Sequence, residues 1–176
     1  KLFYFLSRRL RRFCYLDFDL PETLCCASYF LMKAFPESSF LLYGEGEFGP
    51  EAIEGFDFIL LPSFEIGGLP DRAVDMFLNK NSLGEMSPDL CRLFVGEICR
   101  TTEYFWHLNH EFVRNTFGDG TASLLNGEYP VPATDFDLVI RHIDAFNCMG
   151  DDGFNYGNDI YSYLYARRRD APPPEG

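Results

Sequence analysis

The sequence predicts an α/β fold with a mostly parallel sheet and an antiparallel pair of strands at one edge. Short apolar runs bounded by Gly, Pro, Asp or Asn alternate with helix signals, which is typical of buried parallel strands. Near the end, Phe136, Leu138 and Ile140 fall at alternate positions, as one face of a strand would, and residues 160–165 form another strand. We expect these last two strands to pair antiparallel.

The first elements are predicted to be helix, strand and helix. Apolar residues recur at helical spacing over residues 2–12, which indicates the end of an amphipathic helix. The aromatic and aliphatic run 14–18 predicts a strand. Pro21 suits the first position of a helix, and we expect that helix to end near Pro36.

Three further apolar runs, at residues 40–43, 56–61 and 74–78, predict buried parallel strands. Each is short and is bounded by residues that favour turns. Together with the strand at 14–18 they supply the parallel part of the sheet.

A long helix is predicted after the fourth strand. Ser87 suits the cap and Pro88 the first helical position, and apolar residues continue the pattern as far as Phe105. Residues 118–133 are typical of a loop. Three consecutive prolines within 170–176 indicate a disordered tail after a domain that spans residues 1–169.

The bulk composition excludes several classes of function. A net charge of −12 argues against nucleic acid as a partner, because phosphate binding requires a basic face. No stretch approaches the roughly 18 to 20 apolar residues of a membrane span, so we expect a cytoplasmic protein without a membrane partner. The sequence does not indicate an oligomeric state.

No metal site is predicted. The six cysteines form neither a CxxC pair nor a Cys/His spacing suited to zinc. Asp151 and Asp152 can bind a divalent cation through carboxylate oxygens, but an exposed acidic turn explains them more simply.

Residues Gly44–Gly49 match the GxGxxG pattern of nucleotide-binding loops. Two glutamates within the loop oppose binding of a pyrophosphate, and the helix predicted from Pro50 is too short for a full crossover. We therefore interpret the segment as a surface turn. An oxidoreductase that uses this loop is the alternative.

Four phrases in a fixed order carry a family resemblance. They are YLDFDLPETL at 15–24, SYFL at 28–31 with Phe35-Pro36, VDMFLN at 74–79, and NSLGEM at 81–86. Together they resemble the sugar O-methyltransferase family of S-adenosylmethionine-dependent methyltransferases. The family's tyrosine–leucine pair is interrupted here by Phe30, and the likeness continues more loosely to about residue 143.

The resemblance implies a Rossmann-like methyltransferase sheet, S-adenosyl-L-methionine as cofactor, and a sugar or glycan hydroxyl as the small-molecule acceptor. It also implies that the family's first strand and glycine-rich loop precede the helix at residues 2–12, so the chain is expected to be N-terminally truncated. Because that strand would be central, we expect residues 1–176 alone to be poorly stable and inactive. A non-catalytic Rossmann-like binding module is a further alternative.

Cofactor contacts are predicted at the ends of strands. A carboxylate at the mouth of a parallel sheet can accept both hydroxyl hydrogens of a ribose, which predicts this role for Asp19, with Leu20 beside it. The resemblance implies that Ser63 and Phe64 lie near adenine and that Asn79 also contacts the cofactor. Alternatively, Asp19 caps the following helix and Phe64 belongs to the core.

Polar residues after the strand at 74–78 are predicted to bind the acceptor, since the resemblance places methyl donor and acceptor there. The predicted substrate-binding residues are Asn81, Ser82, Glu85, Met86 and Asn109. The alternative is that the two asparagines nearest the strand form a turn and that Glu85 stabilises the next helix through its dipole.

Methyl transfer to a hydroxyl requires alignment and a base. The predicted catalytic residues are His107, His110 and Glu85, while Tyr104 and Trp106 can stack on a sugar. The alternative is that the histidines are hydrogen-bonded structural residues and the rings belong to the core.

Overall fold

A computed structural model describes Tyr4, residues 9–10, 12–144 and 159–169, and the backbone alone of 149–150 and 153–154. Most of the predicted helix at 2–12, the pair Asp151–Asp152 and the predicted tail lie outside the described residues. The fold divides into two compact units, Lys1–Pro70 and Asp71–Gly176.

The first unit is a three-stranded parallel sheet with the strand order β1-β3-β2. Its elements in chain order are β1 (Tyr15–Asp19), α1 (Pro21–Ala34), β2 (Phe40–Leu42), α2 (Pro50–Gly55) and β3 (Phe58–Pro62). A 3₁₀ helix, Ser63–Gly68, follows β3. The predicted strands and the helix that begins at Pro21 are confirmed.

The core of this unit covers both faces of β3, which is buried at every position. On one face, Leu24 and Leu31 of α1 pack with Phe58 and Leu60. On the other face, Ile59 and Leu61 pack with Ala52 and Leu41. The alternation of a strand therefore explains why an uninterrupted apolar run occurs here.

The second unit contains a mixed four-stranded sheet with the order β4-β5-β9-β6. Its elements are β4 (Val74–Lys80), α3 (Pro88–Thr101), β5 (Thr102–His110), β6 (Phe136–Ile143), β7 (Met149–Gly150), β8 (Gly153–Phe154) and β9 (Ile160–Arg167). β4 and β5 are parallel, and β9 runs antiparallel to both β5 and β6. The α/β class and the antiparallel pairing of the last two long strands are confirmed.

The predicted continuation of the long helix to Phe105 is wrong, because α3 ends at Thr101 and residues 102–110 form β5. Two adjacent β-branched residues, Thr101 and Thr102, favour the change to strand. The Thr101 hydroxyl donates to the Glu97 carbonyl at 2.9 Å, a bond that often bends a helix. Aromatic residues fit both patterns, so apolar spacing alone did not locate this boundary.

Two further expectations need correction. The parallel strands do not form one sheet but are divided between the two units. The strand β4 is not buried, since Asn79 is its one buried residue. Within the described residues, no helix has the length and apolarity needed to cross a bilayer.

Candidate functional site

Four predicted cofactor residues lie together at one edge of the first unit's sheet. Asp19, the last residue of β1, is opposite Pro62, the last residue of β3, in the parallel register. Leu20, Ser63 and Phe64 directly follow these two positions. In open α/β sheets the carboxyl ends of the strands form the ligand-binding edge.

Asp19 is only partly buried, and one of its two carboxylate oxygens accepts a hydrogen bond within the described part of the chain. Its Oδ1 accepts a hydrogen bond from the Leu20 amide at 2.7 Å. Leu20 is the N-cap of α1, which has no side-chain cap, so Asp19 does not cap this helix. Within the described part of the chain, its Oδ2 has no hydrogen-bond partner, which leaves an acceptor free for a ligand.

Exposed aromatic rings lie at the same edge. Phe64 is 65% exposed and Tyr43 is 56% exposed, so Phe64 is not a core residue. Their rings meet edge to face with centroids 5.7 Å apart. Tyr43 was missed as a candidate site residue, although its position directly after β2 is the signal that identifies it. A flat heterocycle such as adenine fits against rings of this kind.

Asp17 shares a face of β1 with Asp19, two residues away. Burial, together with the negative charge of Asp19, raises the pKa of Asp17 to about 6. The first unit therefore holds one carboxyl with an unusually high proton affinity directly beneath the candidate edge.

The loop Gly44–Gly49 forms a turn after β2, and Gly44 has a left-handed φ of +86°. The helix α2 that follows contains six residues. The Glu45 side chain accepts from the Leu42 amide at 3.3 Å, so it folds back onto its own strand. The left-handed Gly44, the short α2 and the Glu45 contact are all those of a turn, as the sequence predicted.

In the second unit, three of the predicted contact residues, Asn79, Ser82 and Asn109, are linked by hydrogen bonds between their side chains. Asn109 Nδ2 donates to Asn79 Oδ1 at 3.0 Å, and Asn109 Oδ1 accepts from the Gly84 amide at 3.2 Å. Asn79 Nδ2 also donates to Ser82 Oγ. Asn109 is fully buried and Asn79 is 9% exposed, so these amides hold the loop that follows β4 rather than face solvent.

The remaining predicted acceptor residues lie on that loop. Asn81 has a left-handed φ of 63° and donates its amide to the Leu108 carbonyl at 2.8 Å, which makes it a turn residue. Asn81, Ser82 and Glu85 are exposed, whereas Met86 is partly buried. The exposed residues can contact a ligand, and the buried asparagines position them.

His107 is fully buried in an aromatic cluster. Its ring stacks on Tyr163 with centroids 5.1 Å apart and meets Tyr129 edge to face at 5.1 Å. Neither ring nitrogen has a hydrogen-bond partner within the described residues. Burial lowers the pKa of His107 to about 3, so its imidazole is neutral at physiological pH.

His110, at the end of β5, has a different environment. Its Nδ1 lies 2.7 Å from Asp159 Oδ1, and its side chain is 28% exposed while that of Asp159 is 10% exposed. The other carboxylate oxygen of Asp159 accepts from the amides of Phe112 and Val113 at 2.9 and 2.6 Å. Burial alone would raise the pKa of Asp159, but the hydrogen bonds from His110 and these amides outweigh it and lower that pKa.

Asp159 is a site residue that the sequence reasoning missed. It lies 49 residues after His110 and precedes β9, and the register that pairs His110 with Ile160 brings it to the histidine. The signal in the sequence was an Asp directly before a strand, but recognising it as the partner of His110 required knowing that β9 pairs with β5.

A second polar cluster lies beside this pair. The Glu111 carboxylate accepts from Tyr163 Oη at 2.9 Å and from Asn126 Nδ2 at 3.3 Å, and it forms an ion pair with Arg141. Arg141 Nε also donates to Tyr163 Oη at 2.9 Å. The side chain of Glu111 is 8% exposed, so its charge is balanced within the protein.

Tyr104 and Trp106 share the open face of β5 with His110, since strand residues alternate between faces. Tyr104 is 47% exposed. Trp106 Nε1 donates to Ser162 Oγ at 2.7 Å. Trp106 is four positions from His110, roughly 13 Å along a strand, so it is too distant to share a ring-sized ligand with it.

A shallow cavity of about 540 Å³ in the first unit, lined in part by Phe13, Cys14 and Asp57, lies at the amino ends of the strands. This edge is opposite to the one that carries Asp19. Among the described residues, no three His, Cys, Asp or Glu side chains are grouped so that they could hold a metal ion.

Comparison with protein-family models, with curated proteins and with solved structures found no match.

Proposed function

We propose that this chain belongs to an S-adenosylmethionine-dependent O-methyltransferase that acts on a sugar or glycan hydroxyl. The observation that carries the proposal is the pair His110–Asp159, a partly exposed imidazole held by a buried carboxylate at the end of a strand. This arrangement is the one that a general base for a hydroxyl requires.

Asp159 orients the imidazole of His110 and selects its tautomer. Because the lowered pKa of Asp159 keeps it ionised, the hydrogen of a neutral His110 lies on Nδ1, which donates to the carboxylate. The lone pair is then on Nε2, which has no partner within the described residues. Nε2 can take a hydroxyl proton, and Asp159 stabilises the imidazolium that results.

The edge of the first unit fits the adenosine part of the cofactor. The free Oδ2 of Asp19 can accept from a ribose hydroxyl, and the exposed rings of Phe64 and Tyr43 can contact adenine. When bound, S-adenosylmethionine would supply the methyl group for transfer to the acceptor oxygen, and its sulfur would keep the electron pair. The Rossmann-like arrangement and the choice of this cofactor rest on the resemblance of residues 13–143 and stay a proposal.

The test is isothermal calorimetry of the full-length protein with S-adenosylmethionine and, separately, with NAD. We expect binding of the first ligand with little or no binding of the second. A transfer assay with labelled methyl donor and free or nucleotide-linked sugars then identifies the acceptor. Binding of NAD alone would contradict the methyltransferase, and binding of neither ligand would favour a non-catalytic module.

A further inference from the structure

The outer side of β6 is an unpaired strand edge. β6 (Phe136–Ile143) is at one end of the sheet order β4-β5-β9-β6 and pairs with β9 on one side only. Within the described part of the chain, no strand pairs with its other side. Because the backbone groups of a strand point alternately to its two sides, β6 presents there a row of amides and carbonyls that the sheet does not pair. Such a row is a template for a further strand.

The edge is apolar and has little protection against pairing. Every residue of β6 after Phe136 is exposed. The strand contains neither Pro nor Lys, which commonly block an edge. The charges of Asp137 and Arg141 are balanced by ion pairs with Arg168 and Glu111. Four aliphatic side chains, 41% to 58% exposed, line the strand: Leu138, Val139, Ile140 and Ile143.

A bulge at Val139 decides which side chains of β6 share a face. The pairing with β9 shifts between Leu138 and Ile140, so the alternation of faces changes at this point. The face of the sheet that carries the buried His107 also carries Phe136, Leu138, Arg141 and Ile143. The other face carries Asp137, Ile140 and His142.

These faces favour one register for pairing β6 with a second copy of itself. Residues directly opposite each other in an antiparallel pair share a face. Along β6 this condition is met when Phe136 of one copy is opposite Ile143 of the other, so that the two strands overlap over their whole length. The two bulges then meet at the centre. A slip of one residue in either direction sets side chains of opposite faces against each other.

The same register is complementary in charge. It places Asp137 of one copy opposite His142 of the other, a carboxylate facing an imidazole, and a two-fold axis repeats the pair. Asp137 and His142 are five positions apart and share a face only because of the bulge. In β4, the strand at the other edge, Asp75 and Lys80 are also five positions apart but lie on opposite faces. No antiparallel pairing of β4 with itself therefore sets that acid opposite that base.

We propose that the outer edge of β6 is a self-association site, at which two copies of this chain pair antiparallel and continue the second unit's sheet across a two-fold axis. This inference does not depend on the proposed function. A contact limited to one strand buries less than the roughly 800 Å² per partner of a stable complex. The dimer therefore forms at micromolar concentration and is dissociated in a dilute enzyme assay.

The test is sedimentation velocity of the full-length protein between about 5 and 500 µM, where we expect a change from monomer to dimer. Leu138 is opposite Arg141 of the second copy, whose side chain is 46% exposed. Leu138→Lys should therefore give a Kd about 3-fold or more above that of Leu138→Glu. General charge predicts the reverse order, because lysine reduces and glutamate increases the net charge of −12.

Met76→Lys and Met76→Glu are the matched controls, since Met76 is 49% exposed on the opposite edge strand, β4. If these two variants differ, they should follow the order of general charge. Hydrogen exchange tests the site without any substitution, because the amides of residues 136–143 should exchange more slowly at the upper concentration than at the lower one.

Three results would overturn the inference. The first is a wild-type protein that stays monomeric over the whole concentration range. The second is a pair of Leu138 variants with equal Kd or with the order of general charge. The third is exchange of the β6 amides that does not depend on concentration, which would place any dimer contact elsewhere.

Discussion

At the scale of single residues, two histidines on one strand have opposite properties because they lie three positions apart and so on opposite faces of β5. His107 is enclosed by aromatic rings, and its neutral form is favoured by burial. His110 is partly exposed and is oriented by Asp159. Access and orientation, which the sheet dictates, therefore select His110 as the candidate base.

The first prediction concerns this base. We expect His110→Ala to lower kcat by about 10²- to 10⁴-fold, the usual contribution of a general base, without weakening cofactor binding. Asp159→Asn should also lower kcat, because it disturbs the tautomer of His110. His142→Ala is the control, since His142 is an exposed histidine on β6. The assay is methyl transfer under saturating donor, and a His110→Ala protein that keeps half its activity would reject the assignment.

The second prediction concerns Asp19. We expect Asp19→Ala to weaken binding of S-adenosylmethionine by about 1.5 to 3 kcal/mol, the range for hydrogen bonds to a charged group. Glu22→Ala removes a neighbouring exposed charge in the first turn of α1 and should change the affinity little. Calorimetry measures both. If the two variants behave alike, Asp19 contributes only to the general charge of the edge.

At the scale of elements, site residues marked by local sequence signals were predictable, whereas contacts that depend on the pairing of strands distant in sequence were not. The edge that carries Asp19, Leu20, Ser63 and Phe64 was predictable, because carboxyl ends of parallel strands meet. The contact of Asp159 with His110 was not, because it needs the register of β9 on β5. For the same reason, the predicted contact residue Asn109 was not recognised as a buried link between β5 and the loop after β4.

The third prediction tests that link. We expect Asn109→Ala to destabilise the second unit by about 1 to 3 kcal/mol, because the Gly84 amide and the Asn79 side chain lose their partner in a buried site. Asn81→Gly is the control, since glycine accepts the left-handed φ of 63° and the change should stay within about 0.5 kcal/mol. Urea unfolding followed by the fluorescence of Trp106, the single tryptophan, measures both. Equal stabilities would show that the asparagine network does not hold the loop.

At the scale of the whole molecule, we expect the stabilities of the two units to respond to pH in opposite directions. The first contains Asp17, whose pKa is raised to about 6, and the second contains His107, whose pKa is lowered to about 3. Both shifts arise mainly from burial, which favours the neutral form of each group. The neutral form is the protonated one for Asp17 and the deprotonated one for His107, so acid should stabilise the first unit and destabilise the second.

The fourth prediction concerns the second unit. The pKa of His107 is lower in the folded state than its ordinary value of 6.5, so its contribution to stability is complete above pH 6.5 and is lost as pH falls toward 3. Each pH unit in this window should cost about 1.4 kcal/mol. Urea unfolding followed by Trp106 fluorescence between pH 7 and pH 5 measures how the free energy of unfolding changes with pH. In His107→Phe this dependence on pH should disappear. A slope that persists in the variant would assign the effect to another group.

The fifth prediction concerns the first unit, where the sign is reversed. The pKa of Asp17 is higher in the folded state than its ordinary value of 3.8, so its contribution is complete below pH 3.8 and is lost as pH rises through about 6. At pH 7 the ionised, mostly buried carboxylate should cost about 2 to 3 kcal/mol, and Asp17→Asn should recover this free energy because the amide resembles the protonated acid. Glu37→Gln removes an exposed charge in the same unit and should change little. Since Trp106 is in the other unit, hydrogen exchange of the amides of residues 15–62 is the measurement. We expect slower exchange in Asp17→Asn than in the wild type at pH 7. At pH 4, after correction for the intrinsic exchange rate, the unfolding free energies of the two proteins should be equal. Equal protection of the two proteins at both pH values would show that Asp17 is not buried as a charge.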